Sequence, residues 1–69
     1  MNFYVTKESF YGRVRTGSPG NRFGEQILRI EAGTDLEKVN DPNLVDVYKL
    51  PDGRFLILSM DQTSLVRPV

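Results

Sequence analysis

The stretch that decides the fold is Val45-Asp46-Val47-Tyr48-Lys49-Leu50, then Pro51-Asp52-Gly53, then Arg54-Phe55-Leu56-Ile57-Leu58-Ser59-Met60. Pro51 presets φ for the first central position of a type I turn, Asp52 tolerates the second, and Gly53 supplies the positive φ that closes a three-residue loop with a bulge. β-branched and aromatic residues flank the turn on both sides, which predicts a hairpin. The register follows: Leu50 opposite Arg54, Lys49 opposite Phe55, Tyr48 opposite Leu56, Val47 opposite Ile57 and Asp46 opposite Leu58. Side chains alternate along a strand. One face therefore carries Val45, Val47, Phe55 and Ile57. The other carries Tyr48, Leu50, Leu56, Leu58 and Met60. Both are apolar, so the hairpin is expected to be covered on two sides, or covered on one and in contact with a partner on the other.

Working outward, Phe3–Thr6 and Phe10–Thr16 read as two strands joined by the polar break Lys7-Glu8-Ser9, and together as an N-terminal hairpin. On the second strand Phe10, Gly12, Val14 and Thr16 share a core face, with Gly12 a bulge or a point of close approach. Tyr11, Arg13 and Arg15 share the opposite face. Residues 17–24 hold three glycines and one proline with no period of either kind. They read as the most mobile loop. Gln26–Ile30 is a third strand, and Ala32-Gly33 turns the chain. Thr34-Asp35-Leu36-Glu37 has capping-box form and favours one helical turn through Val39 or Asn40. The competing reading is an extended segment with Leu36 and Val39 in the core. Asn40–Asn43 is a turn cluster. After Met60, Asp61–Ser64 reads as a short 3₁₀ turn, and Leu65–Arg67 as a last strand that Pro68 confines to an edge or strand end.

These elements predict a single all-β domain over residues 1–69, with one short helical turn at most: a five- to six-stranded small barrel or roll. The order of a long early loop, a central hairpin, a 3₁₀ turn and a closing strand resembles an SH3-like barrel in outline. The resemblance is confined to element order. The paired tryptophans of SH3 domains are absent, as the chain has no Trp. The basic, proline and glycine spacing of swapped-hairpin transcription factors is absent too.

Composition removes several function classes. The chain has 69 residues and neither Cys nor His, which excludes a disulfide framework, a thiolate zinc site and any histidine-based triad. A chain of this size buries only about 60% of its unfolded surface, and association is one way to gain stability. No apolar run reaches the roughly 18 residues of a membrane span. The N-terminus lacks the basic start and apolar core of a signal peptide. The chain reads as a whole, cytoplasmic gene product.

Residues 17–24 lack the Lys-Ser or Lys-Thr of a phosphate loop, and no Asp, Glu or Ser has a visible base or acid partner. No cofactor, metal or catalytic residue is expected, and the chain reads as a non-enzyme. Nine cations balance nine carboxylates. Residues 1–30 hold five Lys and Arg against two Glu, and residues 31–69 hold four against seven Asp and Glu, so the halves carry +3 and −3. The candidate binding set is Tyr11, Arg13, Arg15, Arg22 and Phe23, because Tyr and Arg are enriched at binding hot spots. The expected role is a small regulatory or accessory protein that binds another protein as adaptor, inhibitor or small subunit. A homodimer through the hairpin face Tyr48, Leu56 and Leu58 is a further expectation. The alternative is weak single-stranded nucleic-acid binding through the same cations and aromatics. A neutral chain is a thin electrostatic basis for it, and the bland reading has the arginines paired with Glu8 or Glu25 across strands.

Overall fold

The computed structural model describes residues 2–17, 24–40 and 46–69. Among these, seven strands form one antiparallel sheet: β1 Phe3–Thr6, β2 Phe10–Arg15, β3 Gln26–Ile30, β4 Asp35–Lys38, β5 Val47–Lys49, β6 Phe55–Ile57 and β7 Val66–Pro68. A 3₁₀ helix, Met60–Leu65, precedes β7. The strand order is β3-β2-β6-β5-β4-β1-β7. Among the described residues the sheet is not closed. The expected all-β architecture is present as one seven-stranded antiparallel sheet, with more strands than the five or six expected for a small barrel or roll.

The sheet is nevertheless strongly curled. Seven flat strands would span about 29 Å and be only about 10 Å thick, whereas the molecule measures 28 × 25 × 23 Å. The core shows the same thing. Ile30 near one edge and Val66 at the other lie in one buried cluster with Val14, Leu36, Tyr48, Leu50, Leu56 and Leu58. The concave face is therefore the hydrophobic core, and burial of these side chains is what holds the curl.

The central hairpin has the expected register, with Val47 opposite Ile57, Tyr48 opposite Leu56 and Lys49 opposite Phe55. The Leu50 N–H donates to the Arg54 carbonyl at 2.7 Å and the Gly53 N–H to the Leu50 carbonyl at 3.0 Å. Gly53 sits at φ 93°, a conformation that a β-branched side chain disfavours. Asp52 accepts from the Arg54 N–H at 2.9 Å and from its guanidinium Nε at 2.7 Å, and these Arg54 hydrogen bonds hold the Asp52 carboxyl below its ordinary pKa.

Four expectations are corrected. First, β1 and β2 do not form a hairpin: β1 lies between β4 and β7, and β2 between β3 and β6. Residues 7–9 are a crossover. The Lys7 N–H is taken by the Leu65 carbonyl at 2.7 Å, and the Ser9 hydroxyl accepts from the Ala32 N–H at 3.2 Å.

Second, residues 34–38 are not helical. Leu36 enters the core within strand β4. The groups that would cap a helix are spent elsewhere. The Thr34 hydroxyl donates to the Glu31 carbonyl at 2.6 Å, and its N–H donates to the hydroxyl of buried Thr6 at 2.9 Å. Backbone pairing with β1 and β5 on both sides then outweighs the local signal.

Third, Met60 leaves the hairpin's inner face and is 87% exposed, because Gln62 turns the chain into the 3₁₀ helix. Its N–H donates to the Ser59 carbonyl at 3.0 Å, and its side-chain carbonyl accepts from the Ser59 N–H at 3.3 Å.

Fourth, Asp46 is a turn residue at φ 60° rather than a strand residue, though its carbonyl still accepts from the Leu58 N–H at 3.0 Å. Val45 and the predicted turn at positions 41–43 lie outside the described residues.

Candidate docking surface

The homodimer face expected from sequence is not a surface. Tyr48, Leu56 and Leu58 are core residues, with Leu56 fully buried. Tyr48 packs edge-on against Tyr4, with ring centroids 5.3 Å apart, and burial pushes its hydroxyl pKa up. The inner face of the hairpin is thus committed to folding. Its outer face remains, with Val47 buried and Phe55 and Ile57 partly so.

Strand β2 sorts its side chains as the sequence implies. Gly12 and Val14 are buried, while Tyr11 and Arg13 are exposed. Gly12 is a point of close approach. A Cβ there would stand 2.6 Å from the Leu56 Cδ1 and 3.2 Å from the Phe10 ring. The absent side chain lets Leu56 pack directly against β2, which fixes the strand carrying Tyr11, Arg13 and Arg15. The Gln62 amide adds a second tie by donating to the Tyr11 carbonyl at 2.8 Å.

The neighbouring strands extend the outward set. Tyr11 is opposite Arg29, and Arg13 lies between Ile27 of β3 and Ile57 of β6. Arg15 is opposite Phe55, which is in turn opposite Lys49. The outer face of β3-β2-β6-β5 therefore interleaves Tyr11, Ile27, Phe55 and Ile57 with Arg13, Arg15, Arg29 and Lys49. Tyr11 is 64% exposed and Ile27 62%.

Two of the four cations have ion-pair partners among the described residues. The Arg15 Nε lies 2.9 Å from the Glu25 Oε1, with both side chains largely shielded. The Arg29 Nε lies 3.0 Å from the Glu31 Oε1 in an exposed pair. Arg13 makes no ion pair with a described residue.

Of the predicted set, Tyr11, Arg13 and Arg15 thus share one face, and Arg22 and Phe23 lie outside the described residues. Sequence reasoning missed Ile27, Arg29, Lys49, Phe55 and Ile57 as members of that face. They join it only through cross-strand pairing. The cue was the alternation in Gln26–Ile30, which places Ile27 and Arg29 together but does not say beside which strand.

The described surface offers shallow grooves of about 290–330 Å³. One of about 330 Å³ is lined by Phe3, Leu36, Lys49, Leu50 and Pro51 among others. Among the described residues no group of three or more Asp or Glu is placed to hold a metal ion. No described helix is long and apolar enough to cross a membrane. Compared with protein-family models, curated proteins and solved structures, the chain matches none. Fold and surface together define a class only: a small, curled, all-β domain with a mixed apolar and basic outer face.

Proposed function

We propose that the chain is a non-enzymatic regulatory or accessory protein that docks another protein on the outer face of β3-β2-β6. The observation that carries this reading is Tyr11 and Ile27 standing exposed around Arg13 on a strand anchored from behind by Leu56. A rigid aromatic and an aliphatic residue beside a guanidinium that makes no ion pair with a described residue have the composition of a binding hot spot. The fitting partner presents an apolar patch with a carboxylate to meet Arg13. An SH3-like relationship stays part of this proposal, on element order alone.

Single-stranded nucleic acid is the second reading, favoured by Tyr11 lying among four cations on one face. It is the weaker one. Glu25 and Glu31 already neutralise two of those cations, and affinity for a phosphate backbone scales with the charges left to displace counterions.

Two experiments separate the readings. Capture from extract with the full chain should lose its partner on Arg13→Glu and keep it on Arg67→Glu, a control on the far edge strand β7. Equal capture by both variants removes the docking face. Titration with labelled single strands at low salt should show no binding tighter than about 100 μM. Micromolar affinity that falls steeply with salt would transfer the face to nucleic acid.

A further inference from the structure

The two sheet edges are built differently. β7 is three residues long and contains Pro68, which has no N–H to give. Short edge strands and prolines are common ways of blocking edge-to-edge pairing. β3 is five residues long, with neither proline nor lysine, and it presents Ile27 at 62% exposure. Among the described residues nothing pairs with its outer side. A strand of this kind is a template for another strand.

We propose that two copies of this chain pair antiparallel through β3, about a two-fold axis passing beside Ile27. The sequence of the edge selects the register. A two-fold axis normal to the sheet places residues of the same face opposite one another. Centring on Leu28 sets Glu25 against Glu31 of the other copy, twice. Centring on Arg29 sets two guanidiniums against each other, and centring on Gln26 sets Glu25 against Ile27. Centring on Ile30 sets Arg29 against Glu31, but it runs the pairing into Ala32 and Gly33, whose N–H groups are already given to the Ser9 hydroxyl and the Thr6 carbonyl. Centring on Ile27 is the register that brings opposite charges together while keeping the pairing centred within β3. It sets Glu25 opposite Arg29 at both ends and Ile27 against Ile27 in the middle, with Gln26 opposite Leu28.

The existing ion pairs do not oppose this. The Arg29–Glu31 pair is exposed, and such surface pairs contribute little. A guanidinium has five donors and a carboxylate can accept from two guanidiniums. Arg15, Glu25, the other copy's Arg29 and its Glu31 then form one alternating row across the joint. The dimer sheet runs through both copies and places the two Tyr11–Arg13 faces side by side. It shares Ile27 with the docking reading, while Tyr11 and Arg13 lie one strand in from the joint, so the two are separated by variants at Arg13 and at Glu25 or Arg29.

Sedimentation of the full chain against concentration tests the association. The expected result is a shift from 7.9 kDa toward twice that mass. A chain that remains monomeric up to ~1 mM overturns the proposal. Register is tested by mixing. Glu25→Lys and Arg29→Glu should each weaken self-association at least tenfold by placing like charges opposite, while an equimolar mixture should restore it, since a heterodimer regains both opposite-charge pairs. Thermal melts confirm that both variants fold. A mixture no more associated than its components overturns the register.

Because the chain has no cysteine, Ile27→Cys gives an independent readout. Residues opposed on antiparallel strands are close enough for a disulfide, so mild oxidation should cross-link Ile27→Cys at least tenfold faster than Tyr11→Cys. Equal rates would contradict the joint. Loss of partner capture in Arg13→Glu with dimerisation intact would leave this inference standing, and the reverse result would leave docking standing.

Discussion

The two faces of the central hairpin are equally apolar in sequence and opposite in use. Tyr48, Leu50, Leu56 and Leu58 line the inside of a curled sheet and are buried. Val47, Lys49, Phe55 and Ile57 lie outside, where only Val47 is buried and Lys49 is exposed. Apolar content alone does not tell such faces apart. What separates them is which face the other strands add to. Val14, Ile30, Leu36 and Val66 join the inner side, while Arg13, Arg15 and Arg29 join the outer one. The inner face supplies stability, and the outer face is the one on which we propose recognition.

The comparison is broken most directly by truncating one residue on each side. Leu56→Ala should cost about 2–5 kcal/mol, since a fully buried leucine leaves a cavity. Ile57→Ala, the next residue, should cost only about 1 kcal/mol because the side chain is partly solvated. Urea unfolding of both variants checks this, and equal costs would erase the distinction between the faces.

Gly12→Ala should cost about 1–3 kcal/mol by overpacking against Leu56. It sharpens the comparison because it loosens the strand that carries the outer face by a change made on the inner one. Gly53→Val should cost more than about 1 kcal/mol, read by the same unfolding curves, because valine disfavours the positive φ of the turn that sets the hairpin register.

The smallest effect is in pH. The folded pKa of Tyr48 is raised above the unfolded value, chiefly by burial and then by Tyr4 and Asp46. Its contribution is therefore fully present below the unfolded value of 10.0 and lost as pH rises beyond it through the folded pKa. Tyr48→Phe keeps the ring packing and should flatten the alkaline fall in melting temperature. An unchanged alkaline limb would mean that Tyr48 does not titrate from a buried site.

Local chemistry was legible in the sequence wherever a short segment decided its own geometry. Pro51-Asp52-Gly53 announced its loop and the register on either side. The alternation in β2 separated Gly12 and Val14 from Tyr11 and Arg13, and Pro68 marked an edge strand. What escaped was pairing between distant segments. Phe3–Thr6 and Phe10–Thr16 looked like neighbours because they are adjacent in sequence, yet the bonds of Thr6 and Lys7 run to residues 31–34 and to Leu65. Thr34–Glu37 looked like a helix start because the motif is read locally, while strands on both sides decided the outcome. The candidate face was half visible for the same reason: β2 supplied its own residues, but Ile27, Phe55 and Ile57 arrive only by cross-strand pairing.

The central claim is that recognition belongs to the outer face around β2. The most direct measurement places a photo-reactive side chain at position 11 in one preparation and at position 67 in another, and irradiates both in extract. The account predicts a discrete cross-linked partner from position 11 and none from position 67, the far edge of the same sheet. Cross-links of equal yield at both positions, or at position 67 alone, would contradict it.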